Sequence, residues 1–211
     1  MTLTKYEHAC LVLEETSVKL VIDPGRFSPS LPNLDNVIAI VITHVHTDHI
    51  DEPKVKQIIT DNPDVKIFST KEVADTFHNL DIVVVEPGSM HQIGPFTLAF
   101  FGGEHAIIHP SFPVTQNVGV LINSTLYYPG DSFALPGRPI KTLAAPAAAP
   151  WLKVSEAMDF LSEVKPELAF PTHDAILSDE GKQVFDSMLE PFAKTAGTTY
   201  QRLRIGQSIT L

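Results

Sequence analysis

Thr43-His44-Val45-His46-Thr47-Asp48-His49-Ile50-Asp51 gathers three histidines and two aspartates directly behind the apolar run Val37-Ile38-Ala39-Ile40-Val41-Ile42. A fully apolar run rich in Val and Ile and stopped by polar residues reads as a strand buried on both faces. The polar cluster therefore sits at the strand's C-terminal end. Side chains two apart in extended chain point the same way, so His44 and His46 can grip one ion. Asp48 and His49 follow in the turn. Asp51 is placed to N-cap a helix over 52–61, with Pro53 in the first turn, where a missing N–H costs little. A lone histidine in such a loop is usually an ordinary loop residue. Four ligand-type side chains at H-x-H-x-D-H spacing mark a metal site instead.

The rest of the chain supplies strands and helices around that loop. Short antiparallel strands are expected over 2–6, 9–14 and 18–22, with Glu14-Glu15-Thr16-Ser17 turning between the last two. A loop rich in proline and glycine runs from Asp23-Pro24-Gly25 to Asn36 and is long enough to be functional. Its Arg26, Phe27 and Leu31 suit either a pocket mouth or a plain surface connection. Helix 52–61 turns Val55, Ile58 and Ile59 to one side, and strand 65–68, helix 70–79 and strand 82–85 continue an alternation of helix and strand. His78 and His91 fall outside any ligand pattern and read as surface or turn residues. In the second half, strand 96–101 leads through Gly102 and Gly103 to His105, and His109 follows four residues later. The segment 106–117 reads as pocket wall. A hairpin of 118–122 and 126–128 around Asn123-Ser124 delivers Asp131. The Ala- and Pro-rich stretch 132–152 has no clear helical period and ends at Trp151, the only tryptophan. Helix 153–164 buries Val154, Ala157, Met158 and Leu161, and strand 167–170 delivers His173. A last helix over 179–195, capped by Ser178 or Asp179, precedes a terminal pair of strands at 199–204 and 207–211.

The H-x-H-x-D-H motif, followed in order by His105, Asp131 and His173, each behind an apolar strand-like run, resembles the signature of the metallo-β-lactamase fold hydrolases. The likeness extends over essentially the whole chain, and the small size is similar to the branch containing L-ascorbate-6-phosphate lactonase. The resemblance implies an α/β architecture, an αββα four-layer sandwich of two mixed sheets flanked by helices, formed by one domain over 1–211. It implies two divalent metal ions, one held by His44, His46 and His105, the other by Asp48, His49 and His173, with Asp131 bridging. His105 takes the family's strand-end position, which leaves His109 for substrate contact or proton transfer. His8 and Asp23 fall where the branch places residues beside the metals. A short strand near 142–145 and a loop folding over the site are implied as well.

Composition narrows the function. A net charge of −10 with 15 Lys plus Arg and no basic cluster argues against nucleic acid as a partner. No apolar run approaches the roughly 20 residues of a membrane span, and Met1 to His8 lacks the basic-then-apolar order of a signal peptide, so a cytoplasmic protein is expected. The single cysteine, Cys10, excludes an internal disulfide and sits in an apolar run as a small buried hydrophobe. The ligand set suits Zn²⁺ best, with Mn²⁺ and Fe²⁺ also compatible. The expected activity is hydrolysis of a small-molecule substrate, a lactone, ester or phosphodiester, by a hydroxide bridging two metals, with Asp48 or His109 returning a proton. The ions outweigh Asp48, Asp131 and a hydroxide by about one charge, so an anionic substrate is allowed. Phe27, His109, Arg138 and Trp151 are the candidate pocket residues, with Arg138 as an anion anchor. Two other classes are weighed against this one. A diiron redox protein on the same fold would carry a glutamate where His46 stands, together with a flavin domain. A non-catalytic metal-binding module would lack some of the seven ligands.

Overall fold

The computed structural model describes residues 1–211 as fourteen strands and four helices. The first half contains β1 (Thr2–Lys5), β2 (Leu11–Glu15), β3 (Val18–Ile22), β4 (Val37–Ile42), α1 (Glu52–Asp61), β5 (Lys66–Ser69), α2 (Lys71–Thr76) and β6 (Ile82–Val84). The second contains β7 (Met90–Ile93), β8 (Phe96–Glu104), β9 (Gln116–Ile122), β10 (Leu126–Tyr128), β11 (Thr142–Pro146), α3 (Val154–Val164), β12 (Leu168–Thr172), α4 (Asp179–Thr195), β13 (Thr199–Tyr200) and β14 (Gln207–Thr210). They build two seven-stranded sheets, ordered β14-β1-β2-β3-β4-β5-β6 and β13-β12-β11-β10-β9-β8-β7. Each sheet is antiparallel on one side of β3 or β10 and parallel on the other. This is the expected α/β sandwich of two mixed sheets flanked by helices.

Alternation along the strands makes the layers. Ala39 and Val41 of β4 point between the sheets, where they meet Leu13, Leu20, Phe96, Phe100, Val120 and Phe170. Ile40 and Ile42 point outward onto Val55 and Ile58 of α1 and Val73 of α2. In the second sheet Ala144 faces inward, while Leu143 and Ala145 face Phe160 and Leu161 of α3 and Leu189 of α4. Both faces of the first sheet are covered at β4, so this central parallel strand is apolar throughout.

Several local expectations need correction. His91 lies in β7, paired with β8 and packed beside Phe68 and Phe100, not in a turn. Gly102 and Gly103 remain within β8 at positive φ and do not end it. The terminal strands do not pair with each other, since β13 joins β12 and β14 joins β1 in the other sheet. Asp51 occupies the N-cap position of α1 without a side-chain cap bond; its amide instead donates to Pro24 O at 3.1 Å. Ser178 caps α4 by accepting from the Gly181 amide. No helix is long and apolar enough to cross a membrane.

The topology brings the C-terminal ends of β3, β4, β10 and β12 to one rim, the usual place for a site in a sheet with parallel strands. There the loop after β3 is zipped to the loop after β4: Arg26 N donates to Thr47 O at 2.8 Å. Gly25 permits this approach, because a Cβ on it would lie 1.8 Å from Asp48 O. Only backbone is there to give way. Gly25→Ala is therefore expected to destabilise the protein by about 1–3 kcal/mol, the range for overpacking a close contact, as read from the urea midpoint. An unchanged midpoint would mean that the two loops are not pressed together as described.

Candidate metal centre

Four histidines reach the rim with one ring nitrogen already committed. His49 Nδ1 donates to Asp23 Oδ2 at 2.6 Å, His105 Nδ1 to Ala106 O at 2.5 Å, and His173 Nδ1 to Ala148 O at 2.5 Å. His44 Nδ1 lies 3.0 Å from Thr43 Oγ1. A proton fixed on Nδ1 leaves the lone pair on Nε2, which is the state a metal-ligating histidine requires. The Nε2 atoms of His49, His105 and His173 are buried with no hydrogen-bond partner, and so is Oδ1 of Asp131. Asp131 lies among them, 3.2 Å from His49 Nε2, 3.4 Å from His105 Nε2 and 3.0 Å from His173 Nε2, close but without hydrogen-bond alignment. Buried polar atoms are almost always satisfied. Three orphaned nitrogens gathered around one orphaned carboxylate fit a cation site.

The donors fall into overlapping groups whose ligand atoms lie within 4.8 Å of one another: His44, His46 and His105; His8, Asp48, His49 and His173; and His44, His49 and Asp131. His44 Nε2 and His46 Nδ1 face each other at 3.1 Å, although β4 ends at Ile42 and the chain bends at residues 44 and 45. Asp131 lies beside residues of the first two groups, as a bridging carboxylate would. All seven residues read from the sequence as ligands, His44, His46, Asp48, His49, His105, Asp131 and His173, are brought together. Hard carboxylate oxygens and imidazole nitrogens in these numbers suit Zn²⁺, Mn²⁺ or Fe²⁺.

Behind the donors stands Asp23, fully buried at the end of β3 with its backbone at φ 44. Its carboxylate accepts from Thr43 N at 2.8 Å, Thr43 Oγ1 at 2.7 Å, His49 Nδ1 at 2.6 Å and Tyr128 Oη at 2.8 Å. The roles of Thr43 and Tyr128 escape a sequence reading, because a hydroxyl beside a ligand motif carries no periodic signal. Asn117 is missed for the same reason: its Oδ1 accepts from the Asp131 amide at 3.0 Å and its Nδ2 donates to Pro129 O at 2.9 Å, so it shapes the turn that presents Asp131. Trp151 Nε1 donates to Asp131 Oδ2 at 3.1 Å, so the only tryptophan reaches the carboxylate at the middle of the cluster.

His8 is placed beside the second group, as the resemblance implies. Ala175 N donates to its Nδ1 at 3.3 Å, which puts the proton on Nε2, 3.1 Å from Asp48 Oδ2. Its carbonyl accepts from His173 N at 2.9 Å, and its ring lies 3.9 Å from that of His173. His8 thus holds Asp48 and His173 at once. Phe27, partly exposed, meets the His8 ring edge-on at 5.1 Å. His109 is outside every donor group, exposed on the β8–β9 loop with Nδ1 bonded to Ser111. Arg138 is not brought to the metal centre by any contact. Its guanidinium stacks on Phe101, in a surface cleft shared with Glu163 and Lys165, because the β10–β11 loop folds over α3.

The charges are strongly coupled. Burial favours neutral imidazoles, and it holds His44 well below the ordinary histidine value, helped by neighbouring His49. For His49 burial also pulls downward, but Asp131 and Asp23 on either side overrule it and raise the group well above that value. Burial likewise lowers His173, yet the carboxylates of Asp131 and Asp48 beside it lift it to about 9. Burial would raise Asp131, and His49, His105 and His173 reverse that to hold it well below the carboxylate range. The carboxylates of Asp23, Asp48 and Asp131 thus favour the protonated form of His49 and His173, while burial favours the neutral form of His8, His44 and His46.

Comparison with known proteins extends the geometry. The family model described as a beta-lactamase superfamily domain matches residues 2–173. Protein Rv0786c of Mycobacterium tuberculosis is 35% identical over 200 residues, spanning 92% of this chain and 94% of that protein. A UPF0173 metal-dependent hydrolase of Aeropyrum pernix is 38% identical over 77 residues, 35% of this chain and 31% of its own length. Igni18, a metallo hydrolase from Ignicoccus hospitalis, superimposes with a TM-score of 0.75 at 19% identity, covering 99% of this chain and 97% of that one. These likenesses show the superfamily and do not single out the L-ascorbate-6-phosphate lactonase branch.

Two outcomes test the centre. Replacing Asp23 by Asn puts an amide donor among hydroxyl and imidazole donors, and metal affinity is expected to fall about 10–100-fold, as for other partners of metal-bound histidines. Chelator competition measures it, and wild-type affinity would remove Asp23 from its role. In the metal-free protein, the folded value of about 9 for His173 exceeds the ordinary 6.5. That contribution to stability is complete below the ordinary value and is lost as pH rises through the folded one. Metal must displace the proton, so calorimetry near pH 7.5 in buffers of different ionisation enthalpy should show proton release on binding. No release would contradict the protonated state described for His173.

Proposed function

The chain belongs to the beta-lactamase superfamily, and on that premise we propose that it is a metal-dependent hydrolase acting on a small-molecule substrate with a lactone, ester or phosphodiester bond. The observation that carries this reading is the set of four buried, partnerless ligand atoms on His49, His105, His173 and Asp131. Two divalent ions, zinc by preference, would be held by His44, His46 and His105 on one side and Asp48, His49 and His173 on the other, with Asp131 between them. Such ions supply Lewis acidity and a water ionised near neutral pH.

The protein's own groups then have separable roles. Asp48 is the one acidic ligand with part of its side chain open to solvent, 22% exposed against 4% for Asp131. It is the group placed to take a proton at the oxygen that His8 does not hold and return it to a leaving group. His8 holds that carboxylate through Nε2 and keeps it from turning away. His109, with Nδ1 accepting from the Ser111 amide, keeps its proton on Nε2 and offers a second donor from the loop. Tyr128, Thr43 and Asp23 keep His49 in one tautomer. No serine or cysteine nucleophile is required, and Cys10 is unsuited to act as one because burial pushes its thiol up to about 12.

Metal content per chain, measured by plasma mass spectrometry on protein purified without chelator, tests the reading together with hydrolysis of p-nitrophenyl acetate, γ-lactones and bis-p-nitrophenyl phosphate. Two equivalents of zinc or manganese are expected. Chelation is expected to abolish hydrolysis without unfolding the chain, and Asp131→Ala should lower kcat/KM by at least about 10²-fold, since it removes an electrostatic anchor of the reacting centre. Iron as the dominant metal would favour the redox alternative. Hydrolysis that survives both chelation and Asp131→Ala would overturn the proposal.

A further inference from the structure

Twelve large hydrophobic side chains are exposed on the molecule, and six of them, Phe27, Ile107, Ile108, Phe112, Val114 and Ile176, lie on three loops that adjoin the metal centre. Four belong to the β8–β9 loop, whose first residue is His105. This loop is built, not loose. His105 N donates to Thr115 O at 2.9 Å and closes its neck, Phe112 N donates to His109 O at 2.9 Å inside it, and Ala106 N donates to Asp131 O at 2.8 Å and pins it to the bridging aspartate's backbone. The hollow it encloses is only ≈ 20 Å³, room for about one water. Ile107, Phe112 and Val114 are each more than half exposed, so they are turned to solvent. The stretch from His105 to Gly130 contains no Asp, Glu, Lys or Arg, although such residues make up 19% of the chain.

Exposed apolar surface that is concentrated beside a polar centre marks a binding function, whereas scattered exposed residues do not. Two further loops share the feature. Phe27 leans on His8, the residue that holds Asp48, and Ile176 follows His173 by three positions. Three segments distant in sequence thus each pair a residue of the metal centre with an exposed apolar side chain. A membrane-docking loop or a contact with a second copy would not require that coupling. We infer that the β8–β9 loop, together with Phe27 and Ile176, is an apolar subsite that receives the alkyl or acyl chain of the substrate while the scissile bond lies at the metals. The inference rests on the hydrolase reading and narrows it to esters or lactones bearing an uncharged aliphatic group.

The test uses metal-loaded full-length protein and two series, p-nitrophenyl esters from acetate to decanoate, and the corresponding alkanoates followed by titration calorimetry. The expected result is a rise in kcat/KM and in alkanoate affinity of about two- to fourfold per methylene, the range for burying a CH₂ group. The double variant Ile107→Ser, Phe112→Ser should flatten both series with metal content unaltered. Val184→Ser, which alters an exposed apolar residue on α4, should leave the slope intact. Hydrolysis with a flat wild-type series would overturn the subsite and keep the hydrolase reading. Length-dependent alkanoate binding without hydrolysis of any ester would do the reverse. Flat series together with co-sedimentation on phosphatidylcholine vesicles that the double variant loses would assign the loop to a lipid surface and overturn the subsite.

Discussion

The buried carboxylate of Asp23 is the constraint on which the rest of the rim depends. Isolated in the interior, an ionised carboxylate costs several kcal/mol, and it is tolerated only when its lone pairs are filled. Here four donors fill them, from Thr43 at the end of β4, from His49 in the ligand loop and from Tyr128 in the opposite sheet. One side chain therefore joins the two sheets, orders the turn after β4 and selects the tautomer of His49. Removing any of these donors leaves the charge short of a partner, so the arrangement stands or falls as a unit.

That unit explains where the centre sits. Parallel strands end together at the rim, and each contributes what lies just beyond its last residue: Asp23 after β3, His44 after β4, Asp131 after β10 and His173 after β12. His8 enters from the turn between β1 and β2 and accepts the His173 amide. The first and second halves of the chain thus meet through the ligands themselves. Metal affinity and the packing of one sheet on the other are then parts of one equilibrium, since a site assembled from both halves exists only in the folded chain.

Much of this is legible in the sequence, for reasons that differ from element to element. The run 37–42 announces a buried strand because both of its faces are covered, and the two-residue spacing of His44 and His46 brings their rings together although the strand itself ends at Ile42. α1 and α4 match their expected spans because a cap or a proline stands at the start of each and the apolar spacing is regular. Met90-His91-Gln92-Ile93 carries no such signal. It is a strand only because β8 lies alongside, so local pattern could not reveal it. The destinations of β13 and β14 escape for a related reason, since two short adjacent strands suggest a hairpin, and only the whole fold sends them to different sheets. Arg138 illustrates the limit for function: nearness to Asp131 in sequence says nothing of direction, and the intervening loop carries it away to the cleft beside α3.

Backbone conformation at the rim supplies the last physical link. His8, Asp23 and His173 all adopt positive φ, at 58, 44 and 56, although none is glycine. Each such residue costs of order 1 kcal/mol and persists only where its surroundings over-determine it. The surroundings do so: Asp23 by four side-chain bonds, His8 and His173 by their mutual backbone bond and by the contacts of their rings with Asp48 and Asp131. Glycine at these positions would relieve the strain but remove the ligand or its support. The chain instead accepts strain at three points on one rim: two of them hold other residues of the centre, and the third, His173, carries an Nε2 left without a partner. Strain and unsatisfied atoms coincide at His173, where a cation bonded to Nε2 would offset both.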